Sequence, residues 1–595
     1  MLYRVARKVK YLVLAGTLDK IEATTKRKEM TNYLVEFFKT TPPDHIRDVV
    51  GLIRGSPYPD YEDFQYGMAE KMVIRSIASA TGKTTEEIDE KKKVKGDLGK
   101  AAEEELAVKK QTSLLTKPLE IKYVSETLDK IGKASGKGSV DLKIKLLAGL
   151  LTNATPLEAR YIIRTILGQM RLGMADMTLM DALAIAFTDD ATNRTIIERA
   201  FNISSNLGLI AEKLVAEGLD FVKDFKVTIR HPIRMMMAQR SGENEEIFKK
   251  LDGKFVAEFK YDGERLQIHK DGENVLIFSR RLEEISEQYP DVCDMVKTQI
   301  CANKAIIEGE VVAYNVETGE LRPFQELMQR RRKYGIKEAM EAVPINLFLF
   351  DLLYLENEDF TTQSYPLRRK TLEDIVDETE QLKLATQKEI STAEELEDFF
   401  DLAVEKGCEG IMAKSIQEGS IYQAGARGWL WIKFKRDYKS EIADTLDLVV
   451  IGAYVGYGAR TGFYGSLLMA CYDPFENQFK SVCRMGSGFT DEHLETLQKS
   501  LDQYRVSKKP PRVFIKNSTV PDIWIKPTIV LEVQAAELTL SPVHTCALDK
   551  IRKGSGLAMR FPRFTGRIRD DKTAEQATSQ QEIIDLFEGQ LKKIE

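Results

Sequence analysis

The sequence predicts a multidomain protein in which an all-α N-terminal region, an α+β region and a small β-barrel follow one another. Three observations support this order. The length of 595 residues is too great for one hydrophobic core. Apolar residues recur at helical spacing in the first part and with a period of two from residue 254 onward. Closely spaced short strand patterns then begin near residue 440. The expected domains are residues 1–228, 229–438 and 439–595.

Composition narrows the class of protein. Hydrophobic residues make up 43% of the chain and charged residues 30%, as in ordinary folded proteins. No run of 18 apolar residues predicts a membrane span, and the N-terminus resembles a first helix rather than a signal peptide, so a cytoplasmic location is expected. The six cysteines form no CxxC pair, which predicts reduced thiols and no structural zinc. The net charge of −5 leaves only local basic surfaces for nucleic acid.

The N-terminal region contains a distinct helix start. In "TPLEARYIIRTILGQM", Thr155 is the predicted N-cap, Pro156 takes the first helical position and Glu158 completes a capping box. The apolar residues that follow form one helical stripe: Ile162, Ile163, Ile166, Leu167 and Met170. Residues 178–187 predict another helix, and the charged residues 80–110 predict an exposed helical region.

Strand patterns dominate the rest of the chain. Residues 254–281 contain three alternating segments separated by Asp262-Gly263 and Asp271-Gly272, which predicts a three-stranded meander with two hairpin turns. Further strands are predicted at 305–314, 345–355, 409–415 and 429–435, with a helix at 391–406. The barrel strands are predicted at 447–456, 465–473, 481–488 and 528–540, and residues 585–595 predict a short exposed helix or tail.

Lys260, which precedes the first Asp-Gly pair, is the candidate nucleophile. A free lysine has a pKa near 10.4 and is not nucleophilic at neutral pH, but partial burial beside other cations can activate it. Arg265 and Arg280 fall in the same predicted meander, and Lys433 and Lys435 could join them. A surface lysine before an Asp-Gly turn is nevertheless common, so this pattern alone is weak evidence.

Further candidates follow on predicted strands. Glu310 ends "EGE", Phe350 lies in "LFD", Glu409 opens "EGIMAK", and "KFK" places Lys433 and Lys435 on one face. Each has an ordinary explanation, because Phe350 could belong to the core, the glutamates could be exposed, and the lysines could guard an edge strand. Their joint presence in one domain favours a site that binds phosphate.

Six stretches together resemble a known family. "KYDGER", "IIEGEVVAY", "FLFDLLYL", "EGIMAK", "WIKFKRD" and "FPRFTGRIRDDK" are similar to the nucleotidyltransferase motifs of ATP-dependent DNA ligases, close to the archaeal and eukaryotic replicative type. The resemblance covers nearly the whole chain. One departure is Glu308, where many relatives have aspartate.

The resemblance implies a fold and an activity. The expected domains are a helical DNA-binding domain, a nucleotidyltransferase (adenylation) domain and an OB-fold domain. The expected enzyme uses ATP and Mg²⁺ or Mn²⁺ to seal 5′-phosphate/3′-hydroxyl nicks in replication, repair and recombination. It acts through lysyl-AMP and adenylated DNA, and its barrel moves between at least two positions.

The same resemblance implies roles for individual residues. Lys260 would be the nucleophile, and Glu310 and Glu409 would bind metal. The residues expected to bind the nucleotide are Glu258, Arg265, Arg280, Glu310, Phe350, Arg427, Lys433, Lys435, Arg569 and Lys572.

The resemblance also implies partners. Nicked duplex DNA would be held mainly through phosphates, with Arg171 as a candidate contact or, alternatively, a helix cap. The segment "QTSLL" lies where archaeal relatives bind a sliding clamp, which would make Gln111, Leu114 and Leu115 the anchors. A buried turn is the alternative, because the aromatic pair often found there is absent. A monomer is expected.

Three other functions compete with this reading. An RNA ligase or a capping-type nucleotidyltransferase shares the lysyl-nucleotide chemistry, but the long helical region and the sixth motif disfavour it. NAD⁺ is disfavoured because no four-cysteine zinc segment is present. A DNA-binding scaffold without chemistry is disfavoured by the intact set of Lys260, Glu310, Glu409, Lys433 and Lys435.

Overall fold

The N-terminal part of the chain is helical, as its apolar spacing predicts. The computed structural model describes residues 9–62, 64–108, 117–314, 321–322, 324–330, 335–435, 445–456, 460, 462–534, 537–541, 543–560 and 562–592. The chain divides into two units, residues 1–433 and 434–595. The first unit begins with helices α1 (Tyr11–Glu22), α2 (Arg27–Thr40), α3 (Ile46–Arg54), α4 (Glu70–Thr81), α5 (Thr85–Lys95), α6 (Leu98–Ala107), α7 (Ile121–Lys133), α8 (Ser139–Asn153), α9 (Pro156–Ile166), α10 (Asp176–Thr188), α11 (Arg194–Ser204), α12 (Leu207–Glu217) and α13 (Leu219–Lys223).

Helix α9 shows how the sequence sets these elements. Its predicted capping box is confirmed, because Glu158 N donates to Thr155 Oγ1 at 3.3 Å and Thr155 N donates to Glu158 Oε2 at 2.7 Å. The helix ends at Ile166, before Gly168 takes a left-handed φ of 64°. The predicted apolar stripe lies in the helical core, with Met170 beyond the helix end.

The charged segment 80–110 is helical but only partly exposed. Helix α6 buries Leu98, Ala101 and Ala102 in the helical core, so the prediction of an exposed region is wrong for that face. Arg171 Nη1 donates to Gly96 O at 2.9 Å, just after α5. The helix-capping contact that was the alternative for Arg171 is therefore present.

Two sheets build the centre of the first unit. Their strands are β1 (Met237–Arg240), β2 (Phe255–Lys260), β3 (Glu264–Asp271), β4 (Asn274–Ser279), β5 (Lys304–Ala313), β6 (Ile345–Leu355), β7 (Glu358–Asp359), β8 (Leu382–Leu384), β9 (Gln387–Ile390), β10 (Gly410–Ser415) and β11 (Arg427–Lys435). The accompanying helices are α14 (Asn244–Lys250), α15 (Pro290–Gln299), α16 (Phe324–Leu327), α17 (Ile336–Ala342), α18 (Tyr365–Ile375) and α19 (Ala393–Glu405). One sheet runs β1-β11-β10-β2-β9, and the other runs β4-β3-β5-β6-β7 with β8 beside β6.

The predicted three-stranded meander is wrong in its first pairing. Strand β2 pairs with β10 and β9, whereas β3 pairs with β4 and β5 in the other sheet. Asp271-Gly272 forms the predicted hairpin, but Asp262-Gly263 carries the chain from one sheet to the other. Strand β2 leaves β3 because its apolar side packs against α19, where the rings of Phe259 and Phe399 lie 5.0 Å apart.

The second unit is rich in strands, as predicted. They are β12 (Leu446–Val455), β13 (Tyr464–Asp473), β14 (Gln478–Met485), β15 (Arg505–Val506), β16 (Val513–Phe514), β17 (Ile523–Ile525), β18 (Val530–Gln534), β19 (Glu537–Ser541), β20 (Gly556–Arg560) and β21 (Arg563–Ile568). Strand β12 pairs with β18 along its first half and with β17 further on, so the sheet curls into a half-barrel consistent with an OB-fold.

Two helices complete this unit, α20 (Asp491–Asp502) and α21 (Gln580–Lys592). The helix expected over residues 585–595 is present as part of α21, but it is not wholly exposed, because Phe587 is buried in the core of the unit. Among the described residues, no helix combines the length and apolarity needed to cross a membrane. The order of a helical, an α+β and a barrel-like region confirms the predicted fold class.

A buried histidine in the first unit predicts a pH-dependent stability. His269 Nδ1 accepts a hydrogen bond from Arg230 N at 3.1 Å, and Nε2 lies 3.1 Å from Gln267 Oε1. That oxygen already accepts from Ile233 N at 2.7 Å, so the imidazole must be neutral with its proton on Nε2. Burial, assisted by His231, lowers the pKa of His269 to about 3.

As the pH falls, His269 therefore becomes protonated at a higher pH in the unfolded chain than in the folded protein. We expect the stability from neutral His269 to be complete above pH 6.5, the ordinary value, and to be lost progressively toward pH 3. The free energy of unfolding should fall by up to about 3 kcal/mol between pH 6.5 and 4 because of this group. Urea titrations of the His269→Gln variant should show a shallower pH dependence; an unchanged slope would contradict the assignment.

Candidate active site

Lys260, the last residue of β2, lies among carboxylates. Its Nζ contacts Glu409, and Glu409 N donates back to Lys260 O at 2.8 Å, so the two residues are joined through side chain and backbone. Burial lowers the pKa of Lys260, but Glu409, Glu310 and Asp262 outweigh it, and the pKa is raised overall. The expectation that neighbouring cations lower this pKa is therefore wrong for the structure as it stands.

The three carboxylates form a cluster of like charge. Burial, together with Glu409 and Asp262, raises the pKa of Glu310 to about 8, although Lys260 and Arg265 oppose the shift. Burial and Glu409 raise the pKa of Asp262 to about 6. Asp262 also accepts a hydrogen bond from Phe324 N at 3.2 Å, so it does more than shape a turn. The cluster supplies hard oxygen donors whose repulsion a cation would relieve.

Gly263 allows the two sheets to meet at this cluster. A Cβ at this position would lie 2.2 Å from Val311 O and 3.0 Å from Glu310 Cγ. The register places Arg265 opposite Glu310 across β3 and β5. The residue after the crossover must therefore lack a side chain if β5 is to carry Glu310 toward Lys260.

Hydrogen bonds to Glu308 fix the position of the Arg265 side chain. The guanidinium donates to Glu308 Oε2 at 2.6 Å and to Met236 O at 2.8 Å, and Tyr422 donates to the same carboxylate oxygen at 3.0 Å. Glu308 also accepts from Gln267 Nε2 at 3.2 Å, so the longer side chain at this position is fully engaged. Glu308, which stands where many relatives have aspartate, thus makes contacts that fix the Arg265 side chain.

Aromatic rings lie beside Arg265. Phe350 on β6 and Trp431 on β11 meet edge to face with centroids 6.3 Å apart, and the Arg265 guanidinium lies 5.3 Å from each ring centroid. Glu258 lies two residues before Lys260 on β2 and contacts Tyr365 and Lys414. One region of the first unit thus combines a lysine, carboxylates, an arginine and aromatic faces.

Other predicted residues lie at the edges of the same domain. Lys433 is opposite Arg240 in the β1–β11 register, and Lys435 ends β11. Arg427 begins β11 opposite Met237 and is exposed. Arg280 is exposed in the turn after β4.

In the second unit, two predicted cations share one carboxylate. Arg569 Nη1 and Lys572 Nζ both lie 2.6 Å from Asp447 Oδ2, and Arg569 also pairs with Asp571 at 2.8 Å. Asp447, on β12, was not predicted from the sequence. The clamp candidates Gln111, Leu114 and Leu115 lie outside the described residues.

Sequence reasoning also missed several residues around the site. Tyr365 and Arg369 lie on α18, Tyr422 in the loop before β11, and Trp431 within β11. The first three fall between the motifs, where aromatic and basic residues look like ordinary helix or loop positions. Trp431 could have been found from the sequence, because it belongs to "WIKFKRD", although the alternating pattern there indicates an ordinary strand position.

Comparisons with known proteins agree with this architecture. The family described as ATP dependent DNA ligase domain matches residues 235–435, DNA ligase N terminus matches 10–184, and ATP dependent DNA ligase C terminal region matches 460–572. "DNA ligase 2" of Thermofilum pendens is 49% identical over 590 residues, covering 98% of each chain. "DNA ligase" of Staphylothermus marinus is 49% identical over 593 residues, covering 98% of this chain and 99% of its own.

A solved structure shares the fold. "Pmar-Lig_Pre." has a TM-score of 0.55 at 18% identity, covering 94% of this chain and 99% of its own. The central domain with its lysine, flanked by a helical and a barrel-like region, defines an ATP-dependent nucleotidyltransferase. Because the matches extend over nearly the whole length, the chain belongs to the ATP-dependent DNA ligases. The predicted resemblance and the predicted enzyme class, a DNA ligase, are confirmed.

Proposed function

We propose that this ligase seals nicks in duplex DNA through a covalent lysyl-AMP on Lys260. The observation that carries the proposal is the position of Lys260, between the carboxylates of Glu409 and Glu310 and on the same side of β2 as Glu258. A lysine in this setting combines a nucleophile with a proton acceptor in contact. Family membership implies ATP as the nucleotide.

In the first step, Lys260 Nζ attacks the α-phosphorus of ATP. The ammonium of Lys260 first gives up a proton, for which the contacting Glu409 carboxylate is the nearest acceptor, and the free amine then attacks. The P–N bond forms as the bond to pyrophosphate breaks, and a second proton leaves Nζ for solvent. We assign Lys433 and Lys435 to the α-phosphate charge, Arg265 to the ribose, and Phe350 to the adenine face. Further nucleotide contacts are proposed for Glu258, Glu310, Arg280 and Arg427, and Arg569 and Lys572 are assigned to the pyrophosphate.

Two further steps complete the reaction. A 5′-phosphate oxygen of the nick attacks the AMP phosphorus, the P–N bond breaks, and Nζ takes up two protons to return to its ammonium form. The 3′-hydroxyl then attacks the activated 5′-phosphorus, which forms the phosphodiester bond and releases AMP. We assign duplex binding to the helical region, and place the enzyme in replication, repair and recombination as a monomer. The segment with Gln111, Leu114 and Leu115 remains the proposed clamp contact, and 1–228, 229–438 and 439–595 the proposed domains.

The carboxylates fit a divalent cation such as Mg²⁺ or Mn²⁺. Within the described residues, no three metal-binding side chains form a ready-made cage. Mg²⁺ is typically held by one or two carboxylates together with substrate phosphates, and the half-buried, mutually repelling Glu310 and Glu409 suit that arrangement. A bound ion would supply charge neutralisation at the phosphates.

One assay tests the proposal. The protein is incubated with a 5′-labelled nicked DNA duplex, ATP and Mg²⁺, in parallel with nicked RNA, and with GTP or NAD⁺ in place of ATP. We expect sealing of DNA with ATP, at least about tenfold faster than of RNA, and loss of sealing in EDTA. Preference for RNA, or activity with NAD⁺ or GTP but not ATP, would refute the proposed function.

A further inference from the structure

Tyr261, the residue after Lys260, stacks on Phe348 in a strand of the other sheet. The two ring centroids lie 3.9 Å apart, and the ring planes are inclined by 9°. Both side chains are almost completely buried, with exposed fractions of 5% for Tyr261 and 7% for Phe348. Lys260 ends β2 in one sheet, whereas Phe348 lies on β6 in the other. The stack therefore joins the two sheets at the residue next to the proposed nucleophile.

Phe348 is also the cross-strand neighbour of Glu310. The β5–β6 register pairs Glu310 with Phe348, and residues paired across antiparallel strands place their side chains on the same face of the sheet. The Glu310 carboxylate in turn acts on Lys260, since it helps to raise the pKa of that lysine. Lys260 and Glu310 are thus connected through one peptide bond, one ring stack and one pair of neighbouring strands.

The Tyr261 hydroxyl contacts a second place where the chain passes between the sheets. Strand β8 pairs with β6 and strand β9 pairs with β2, so Ala385 and Thr386 carry the chain from one sheet to the other. Thr386 N donates to the Tyr261 hydroxyl at 3.2 Å, and the hydroxyl donates to Thr386 Oγ1 at 3.4 Å. Thr386 O accepts from Phe259 N at 2.9 Å. Tyr261 therefore contacts both sheets and the segment that links them.

A stack between the sheets can set the geometry of the first reaction step. The amine must lie within reach of the phosphorus as the P–N bond forms, and a displacement of about 1 Å can cost about a hundredfold in rate. Aromatic rings prefer few relative arrangements, whereas aliphatic contacts are non-directional. We infer that Tyr261 and Phe348 are positioning residues whose stack fixes the Lys260 amine relative to the Glu310 carboxylate during lysyl-AMP formation. The inference rests on the proposed function, which makes Lys260 the nucleophile.

The test is single-turnover formation of lysyl-AMP with α-labelled ATP, measured over a range of ATP concentrations. Tyr261→Leu and Phe348→Leu each keep an apolar side chain but lose a ring. Each should lower the maximal rate at least about tenfold and leave the ATP concentration for half-maximal rate within about twofold of wild type. Because either change removes the same stack, the double variant should react within about twofold of the slower single variant. Tyr261→Phe keeps the ring and should react within about threefold of wild type.

Phe399 provides a matched control on the same sheet as β2. Its ring lies 5.0 Å from that of Phe259, the residue before Lys260, but Phe399 belongs to α19, which packs on β2, β9 and β10 of one sheet. Phe399→Leu also replaces a buried ring by leucine. It should lower the melting temperature as the other leucine variants do, and keep the maximal rate within about twofold of wild type.

The possible results separate positioning from folding and from the proposed function. Phe348→Leu decides the test if Tyr261→Leu does not fold. Wild-type rates in the folded leucine variants, effects that multiply in the double variant, or an equal loss of rate in Phe399→Leu would overturn the inference. A rate for Tyr261→Phe as low as that for Tyr261→Leu would also overturn it, because the ring is then not what positions the amine. Failure of wild type to react with ATP refutes instead the proposed function.

Discussion

Replacing Lys260 with alanine should abolish transfer of label from α-labelled ATP to the protein. The charged groups that act most strongly on Nζ are the carboxylates of Glu409, Glu310 and Asp262, which cannot replace the amine as the atom that forms the P–N bond. Loss of the amine removes the P–N bond itself rather than a supporting contact, so we expect a decrease of at least about a thousandfold. The measurement is autoradiography of denatured protein after incubation with ATP and Mg²⁺.

The same variant separates chemistry from folding. Lys260→Ala should still seal a nick whose 5′-phosphate already carries AMP, because that substrate enters after the lysine has acted. Lys260→Arg should fail to label although it keeps the positive charge beside Glu409, since a guanidinium remains protonated. Labelling of Lys260→Ala at the wild-type rate would place the nucleophile elsewhere, and loss of sealing on the adenylated nick would indicate a misfolded protein.

The fold followed from the sequence where local patterns decide it. The capping box at Thr155, the long apolar strands β5 and β6 and the short strands of the second unit depend on period and turn chemistry, which neighbouring residues set. Strand partners were less predictable. The same Asp-Gly dipeptide forms a hairpin at Gly272 and a crossing between sheets at Gly263, because distant strands β5 and β10 decide the outcome.

The proximity of the candidate residues Lys260, Glu310 and Glu409 was predictable from the sequence, and their electrostatics were less so. Motif spacing placed Lys260, Glu310 and Glu409 in one candidate site. In the structure, Lys260 contacts Glu409, and both carboxylates act to raise the pKa of the lysine. Motif spacing could not show that most of the charged groups around the lysine are carboxylates. A sequence pattern does not give the distances between strands that lie in two different sheets. Tyr365 and Arg369 were missed for a related reason: helix α18 looks like an ordinary surface helix until packing buries that side.

Gly263 lies where the chain crosses from one sheet to the other, beside the proposed nucleophile Lys260. Replacing Gly263 with alanine should strongly reduce the formation of lysyl-AMP. A Cβ there would lie 2.2 Å from Val311 O, and the contact is with backbone, which cannot rotate away as a side chain can. Since Glu264 pairs with Val311 across β3 and β5, relief requires β3 and β5 to separate. We expect lysyl-AMP formation to fall at least about a hundredfold, with a loss of stability of about 1–3 kcal/mol.

Gly272 supplies the matched control, because it follows an aspartate in the same way. Its φ of 60° is unfavourable for alanine, but the nearest atom to a Cβ would be Asn303 Oδ1 at 3.6 Å. Gly272→Ala should therefore cost about 1–2 kcal/mol of stability and leave lysyl-AMP formation near the wild-type rate. Both variants are compared by urea unfolding and by single-turnover labelling with α-labelled ATP. The opposite outcome is that both glycine variants lose stability equally and keep the wild-type labelling rate. In that case the close approach of β5 at Gly263 does not set the position of Glu310. The geometry of the carboxylate cluster must then be maintained by β5 and β6 alone.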